Sequence, residues 1–153
     1  MSAKRLSAIS AALILATASF WATPAFAKIG KSVSISGNSG GRIVHYALRV
    51  AKYRSSNTLV RFAGRCDSAC TLYLGLPSHQ TCIAKGAFFR FHAPSARNPR
   101  AQRAAQNYLM RKYPGWVKSY ISSRGGLGRQ LVTMDYGYAS QFIRSCPSRV
   151  ASR

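Results

Sequence analysis

The feature that most limits how this chain can fold is a run of short, alternating strand-like and helix-like stretches. Residues 32–36 alternate small polar and apolar side chains, the period of a half-buried strand. The glycine-rich turn Gly37-Asn38-Ser39-Gly40-Gly41 follows. Ile43, Val44, Ala47, Leu48, Val50 and Ala51 recur at helical spacing. They predict a helix over 42–54 with Arg42, Arg49, Lys52 and Arg54 on its wet side. Residues 58–63 read as a second strand, 64–67 as a sharp turn, and 68–76 as a buried helix stopped by Pro77. Two further strands, 82–84 and 87–92, flank Lys85-Gly86. Elements of this length in this order predict an α/β domain with a mostly parallel sheet and flanking helices. With 47% hydrophobic and 11% aromatic residues the chain has the material for a core.

Beyond a loop at 94–99 the pattern turns helical. Residues 100–113 form a basic amphipathic helix with Ala101, Ala104, Ala105, Tyr108 and Leu109 on one side. Pro114-Gly115 interrupts it, and a further helix runs over 116–123. Residues 131–134 fit a strand or a helix start equally, and 138–144 predict a short helix. Trp116, Tyr120, Tyr136 and Tyr138 are expected to pack in the core or over it. His45 is expected at the surface or in packing, and His79 is expected to be exposed.

The N-terminus sets the compartment. Lys4 and Arg5 precede an apolar stretch at 8–22, then Pro24-Ala25-Phe26-Ala27 with small residues at 25 and 27. This is the layout of an export signal cut after Ala27, and its apolar run falls short of the roughly 20 residues of a spanning helix. The expected organisation is a signal peptide at 1–27, one domain at 28–146 and a basic tail at 147–153, in the periplasm of a bacterium or secreted from it. The length that remains suits a single core. Four cysteines in an exported chain, Cys66, Cys70, Cys82 and Cys146, point to two disulfides. Three pairings are open, and in each Cys146 is tied back to the body of the domain. Zinc is not expected: no CxxC pair exists, and His79 is the only histidine close to this group.

Charge narrows the chemistry. Asp67 and Asp135 are the only acids against 23 lysines and arginines, a formal +21 of which Lys4 and Arg5 would leave with the signal. Calcium loops and two-metal carboxylate sites need more acids than this. A paired-carboxylate glycosidase would consume both. Such a surface attracts polyanions in a salt-sensitive way. An anionic envelope surface is the expected partner. No nucleic-acid motif is present, so specific nucleic-acid recognition is not expected.

Three segments suggest a reaction centre. Gly40-Gly41, between the first strand and its helix, can present backbone amides to an oxyanion. Ser68 stands where the second strand turns into a helix, with the amide of Ala69 beside it; a nucleophile and a plain helix cap, from Ser68 or Asp67, are both open here. His92 ends the apolar run 87–92 and is placed to accept a serine proton.

In this order the segments Gly37-Asn38-Ser39-Gly40-Gly41, Gly64 to Ser68-Ala69, and Phe91-His92-Ala93-Pro94 resemble the Clp protease proteolytic subunit and its crotonase-fold relatives, in particular small exported bacterial members with a Cys-x-Ser-Ala-Cys-Thr elbow. The likeness covers about 32–94 well and 100–146 loosely. It implies a crotonase/Clp-like fold, a serine hydrolase or peptidase acting on a peptide or acyl substrate, and no cofactor. Ser68 would be nucleophile, His92 base, and Gly40 or Gly41 with Ala69 the oxyanion hole. The family's downstream Asp or Asn has no counterpart in 139–146. Asp135 falls several residues early, and either orients His92 or pairs with an arginine. A Ser-His dyad and an inactive, cationic envelope-binding module on the same fold therefore stand beside the full triad.

Overall fold

The computed structural model describes residues 30–147; the signal segment 1–27 and the tail beyond Pro147 lie outside the described residues. The elements are β1 (Ser32–Asn38), α1 (Ile43–Ser55), β2 (Leu59–Asp67), a 3₁₀ helix (Ser68–Gly75), a short 3₁₀ turn (Ser78–Gln80), β3 (Thr81–Ile83), β4 (Phe88–Phe91), α2 (Pro99–Lys112), α3 (Gly115–Ser122), β5 (Val132–Met134) and α4 (Tyr136–Ala139).

The strands make one mixed sheet in the order β1-β2-β4-β5. β1 and β4 run parallel to β2, and β5 closes the edge antiparallel to β4. The mostly parallel sheet expected from the alternation is thus mixed, because the ambiguous stretch at 131–134 folds back as an antiparallel strand. β3 also pairs parallel to β2, over Val60–Phe62, on the edge that β4 takes up further along. The chain end lies against β3: Ile83 N donates to Arg144 O, Cys146 N donates to Ile83 O, and Cys82 is disulfide-bonded to Cys146. The other disulfide joins Cys66 to Cys70.

β2 runs through the residues expected to turn at 64–67. Gly64 makes this possible: a Cβ there would lie 2.2 Å from the Ser36 carbonyl oxygen, opposite the bulge between Ile35 and Gly37. The segment after it is a 3₁₀ helix where an α-helix was expected. A stretch buried from Ala69 to Leu74 has no apolar face for periodicity to reveal, and the Cys66–Cys70 bond closes over its first turn.

Phe62, Phe89, Phe91, Tyr73, Ile83, Ile121 and Met134 are fully buried. Phe62 meets Phe89, and Phe91 meets Tyr113, edge to face. α1 packs through Tyr46, Val50 and Tyr53, one residue round from the expected stripe, so Val44 and Leu48 face solvent. α2 starts at an Asn98 side chain that accepts from Ala101 N, with Pro99 in the first turn, and ends on Arg111 and Lys112. Trp116, Tyr136 and Tyr138 pack against the core as expected, and His45 and His79 are exposed. α4 covers only the first part of the helix predicted at 138–144. No helix among the described residues is long and apolar enough to cross a membrane.

Candidate active site

Parallel strands deliver their C-terminal ends to one edge of a sheet, and that edge is where open α/β sheets hold ligands. β1, β2 and β4 run the same way, so the segments after Asn38, Asp67 and Phe91 emerge together. Register sharpens this. Asn38 is level with Cys66 and Asp67 with Arg90; continuing each ladder sets Gly40 beside Ser68 and Phe91 beside Ser68 on the other flank.

The contacts agree. Gly40 has φ +85° and sits against the turn out of β2: a Cβ on it would fall 2.6 Å from Asp67 O, 2.7 Å from Ser68 Cβ and 3.1 Å from Ala69 N. Gly41 follows at φ +151°. Ser68 itself has φ +55°, a left-handed conformation that a residue with a Cβ adopts at a cost of roughly 1 kcal/mol or more. A sharp strand-to-helix elbow of this kind lifts its side chain above the sheet edge. The capping alternative does not hold, since neither Asp67 nor Ser68 caps the 3₁₀ helix with its side chain.

Several interactions maintain the elbow. The Cys66–Cys70 disulfide spans it. Thr71 Oγ1 donates to Ser68 O at 2.6 Å; its single proton is then committed, so the buried Tyr113 hydroxyl donates to Thr71 Oγ1, also at 2.6 Å. Burial pushes the Tyr113 phenol up to about 12. Asp67 turns to the sheet, where Arg90 binds both its oxygens and Arg65 approaches to 3.5 Å. The Asp67 carboxylate holds the Arg90 guanidinium above its ordinary value.

Asn38 organises the glycine turn. Its Oδ1 accepts from Gly40 N at 2.9 Å and from the Tyr46 hydroxyl at 2.6 Å. The Gly40 amide is thereby occupied, which removes it from the expected oxyanion pair. The amides of Gly41 and Ala69 donate to no acceptor among the described residues.

Ser68, His92 and Gly41 line one open cleft of about 480 Å³. Ile43, Pro94 and Leu109 supply its apolar walls, and Arg42 is its charged residue. No hydrogen bond joins Ser68 to His92. His92 Nδ1 lies 2.7 Å from the Ala93 carbonyl. A carbonyl only accepts, so Nδ1 carries the proton, and in the neutral ring Nε2 keeps the lone pair. The Ala93 amide donates to Gly128 O at 2.7 Å, tying this peptide to the glycine loop before β5.

Asp135 is not brought to His92. Phe91 pairs with Val132 and Phe89 with Met134, so Asp135 falls level with Phe88, four residues along β4 from His92 and roughly 13 Å away. Its Oδ1 accepts from Tyr138 N at 2.9 Å and caps α4. An acid directly before a helix start is an N-cap signature, and here that role uses the carboxylate. Asn38 and Arg42 were missed as site residues. An asparagine two positions before a glycine is an Asx-turn signal, whereas nothing marks Arg42 among the other cations.

Among the described residues no three His, Cys, Asp or Glu side chains gather where they could hold a metal ion. No family model matches the chain, and no curated protein matches it.

Proposed function

We propose that this protein is an exported serine hydrolase of the crotonase/Clp-like kind, acting on acyl or peptide bonds in the periplasm or outside the cell. The observation that supports it most is Ser68 held at φ +55° in a cleft it shares with His92 and Gly41. Strain of this sort persists where the surroundings impose it, and it clusters at reactive positions. Two disulfides agree with an oxidising compartment.

Ser68 Oγ attacks the substrate carbonyl carbon while His92 Nε2 takes the hydroxyl proton. The carbonyl π electrons move to oxygen, and that oxyanion is met by the amides of Gly41 and Ala69; losing one such donor typically costs about 3 kcal/mol. The tetrahedral species collapses, the C–N or C–O bond breaks, and the leaving group takes the proton from His92. Water then releases the acyl group from Ser68 by the same route. The Ala93 carbonyl does for His92 part of what a triad carboxylate does, fixing tautomer and ring orientation without adding a charge.

A fluorophosphonate probe tests this. It should label the wild-type protein, fail on Ser68→Ala and react slowly with His92→Ala. Absence of label on wild type, or equal label on Ser68→Ala, rejects the hydrolase.

One observation favours a second reading, a non-catalytic cationic module that adheres to anionic envelope surfaces: among the described residues no carboxylate reaches His92, while the chain carries a formal +21. That reading requires salt-sensitive binding to anionic vesicles, unchanged in Ser68→Ala and His92→Ala.

A further inference from the structure

We infer that Arg42 selects substrates bearing a carboxylate near the scissile carbonyl, so that the cleft is built for acidic acyl or peptidyl groups. The inference rests on the hydrolase reading and adds a substrate class to it. Arg42 lines the same cleft as Ser68 and His92 and follows Gly41, whose amide would hold the oxyanion. Its guanidinium therefore lies within one side-chain length of the reacting carbonyl.

Among the described residues no acid competes for it. Of the two acids, Asp67 is held by Arg90 and Arg65, and Asp135 caps α4. Among the described residues the Arg42 side chain has no hydrogen-bond or ion-pair partner, and it is exposed to what enters. A planar guanidinium matches a carboxylate with two parallel N–H···O bonds. The cleft's other walls, Ile43, Pro94 and Leu109, are uncharged and suit an apolar body between the acid and the scissile bond. No acidic side chain lines this cleft, so a basic substrate would meet only repulsion from Arg42.

Two chromogenic esters of similar length separate the possibilities, p-nitrophenyl butyrate and the mono-p-nitrophenyl ester of glutaric acid, whose free carboxylate is ionised at pH 7.5. In each, Ser68 Oγ acquires the acyl group, p-nitrophenolate leaves, and water releases the acid. The disulfide-bonded wild-type protein should turn over the glutarate ester with kcat/KM about tenfold higher, the ratio expected of one charge-assisted contact. Arg42→Gln should abolish that preference, chiefly through KM, and Arg42→Lys should restore part of it. Lys118→Gln removes one exposed cation outside the cleft and should leave the ratio as it was, which separates a local contact from the general pull of a cationic surface. Turnover of both esters without preference, equal losses on both in Arg42→Gln, or a ratio that falls equally in Lys118→Gln overturns the inference while the hydrolase stands. No turnover of either ester, together with no fluorophosphonate labelling, overturns the hydrolase and the inference with it.

Discussion

Replacing Gly40 with alanine tests whether the glycine turn and the serine elbow form one unit. Two costs separate cleanly at this position. The first is conformational: at φ +85° an alanine is strained by about 1 kcal/mol. The second is steric: the new methyl would meet Asp67 O at 2.6 Å, Ser68 Cβ at 2.7 Å and Ala69 N at 3.1 Å. Two of these are backbone atoms and the third is the first atom of a side chain, so none can swing away. Forcing a methyl into such a contact costs typically 1–3 kcal/mol. Gly86 supplies the control, because it has the same φ of +85° and nothing within 4 Å of a built Cβ. Gly86→Ala should cost about 1 kcal/mol and Gly40→Ala about 3 kcal/mol, or about 4 and 12 °C in Tm for a domain of this size. Urea and thermal unfolding of the two variants side by side measure the difference. Fluorophosphonate labelling should fall in Gly40→Ala and persist in Gly86→Ala, since only the former displaces Ser68 and the Ala69 amide. Equal stabilities for the two variants would refute the close approach on which the oxyanion pair depends.

Three further outcomes are expected. Ser68→Gly should lose all labelling and yet gain about 1 kcal/mol in urea unfolding, because glycine accepts φ +55° without strain; a loss of stability would mean the conformation is not strained. Removing Cys82–Cys146, which spans 64 positions, should cost about 4 kcal/mol, against about 2 kcal/mol for Cys66–Cys70, which spans 4. Labelling should show the reverse order, since the short bridge spans the elbow, and its retention in Cys66→Ser/Cys70→Ser would argue against that role. Tyr113, raised from 10.0 to about 12 by burial, favours folding while it is neutral. Its contribution, about 2–3 kcal/mol, is present below pH 10 and is lost as pH rises towards 12. Tyr73, also raised to about 12, loses stability over the same window, so Tyr113→Phe should reduce the alkaline slope of stability without abolishing it.

Much of the fold was legible because its first half is made of amphipathic elements with glycine punctuation. The β1 pattern, the glycine turn, α1 and β2 all appear within a few residues of where periodicity sets them. The stretches that departed from expectation are those where periodicity carries no information. The 3₁₀ helix after Ser68 is buried all round, and Gly64 reads locally as a turn while its real function, admitting the Ser36 carbonyl, needs the neighbouring strand. β5 was ambiguous because three residues cannot distinguish a period of two from one of 3.6. Its antiparallel direction follows from the chain's return along β4, which no local signal records.

The site divides along the same line. Ser68, His92, Gly41 and Ala69 are side chains or turns that the sequence spells out, and parallel strands bring them to one edge. What supports them is spelled out far less. The partner of His92 is the Ala93 carbonyl, a group every residue possesses, so no letter could announce it. A search for a third triad member is a search for a carboxylate, and in a chain with two acids it lands on Asp135 by elimination. The register of β4 against β5 then puts that acid beside Phe88, where it caps a helix. A neutral orienting group follows physically from the same scarcity. A triad carboxylate would add a charge beside the imidazolium that the proposed mechanism forms, whereas the Ala93 carbonyl offers a dipole and no charge. Such a dyad should be slower than a triad towards amides, whose leaving groups demand a long-lived imidazolium, and closer to it towards activated esters. Asp135→Asn should therefore leave ester turnover and its pH profile where they were, and a shifted profile would return Asp135 to the reaction.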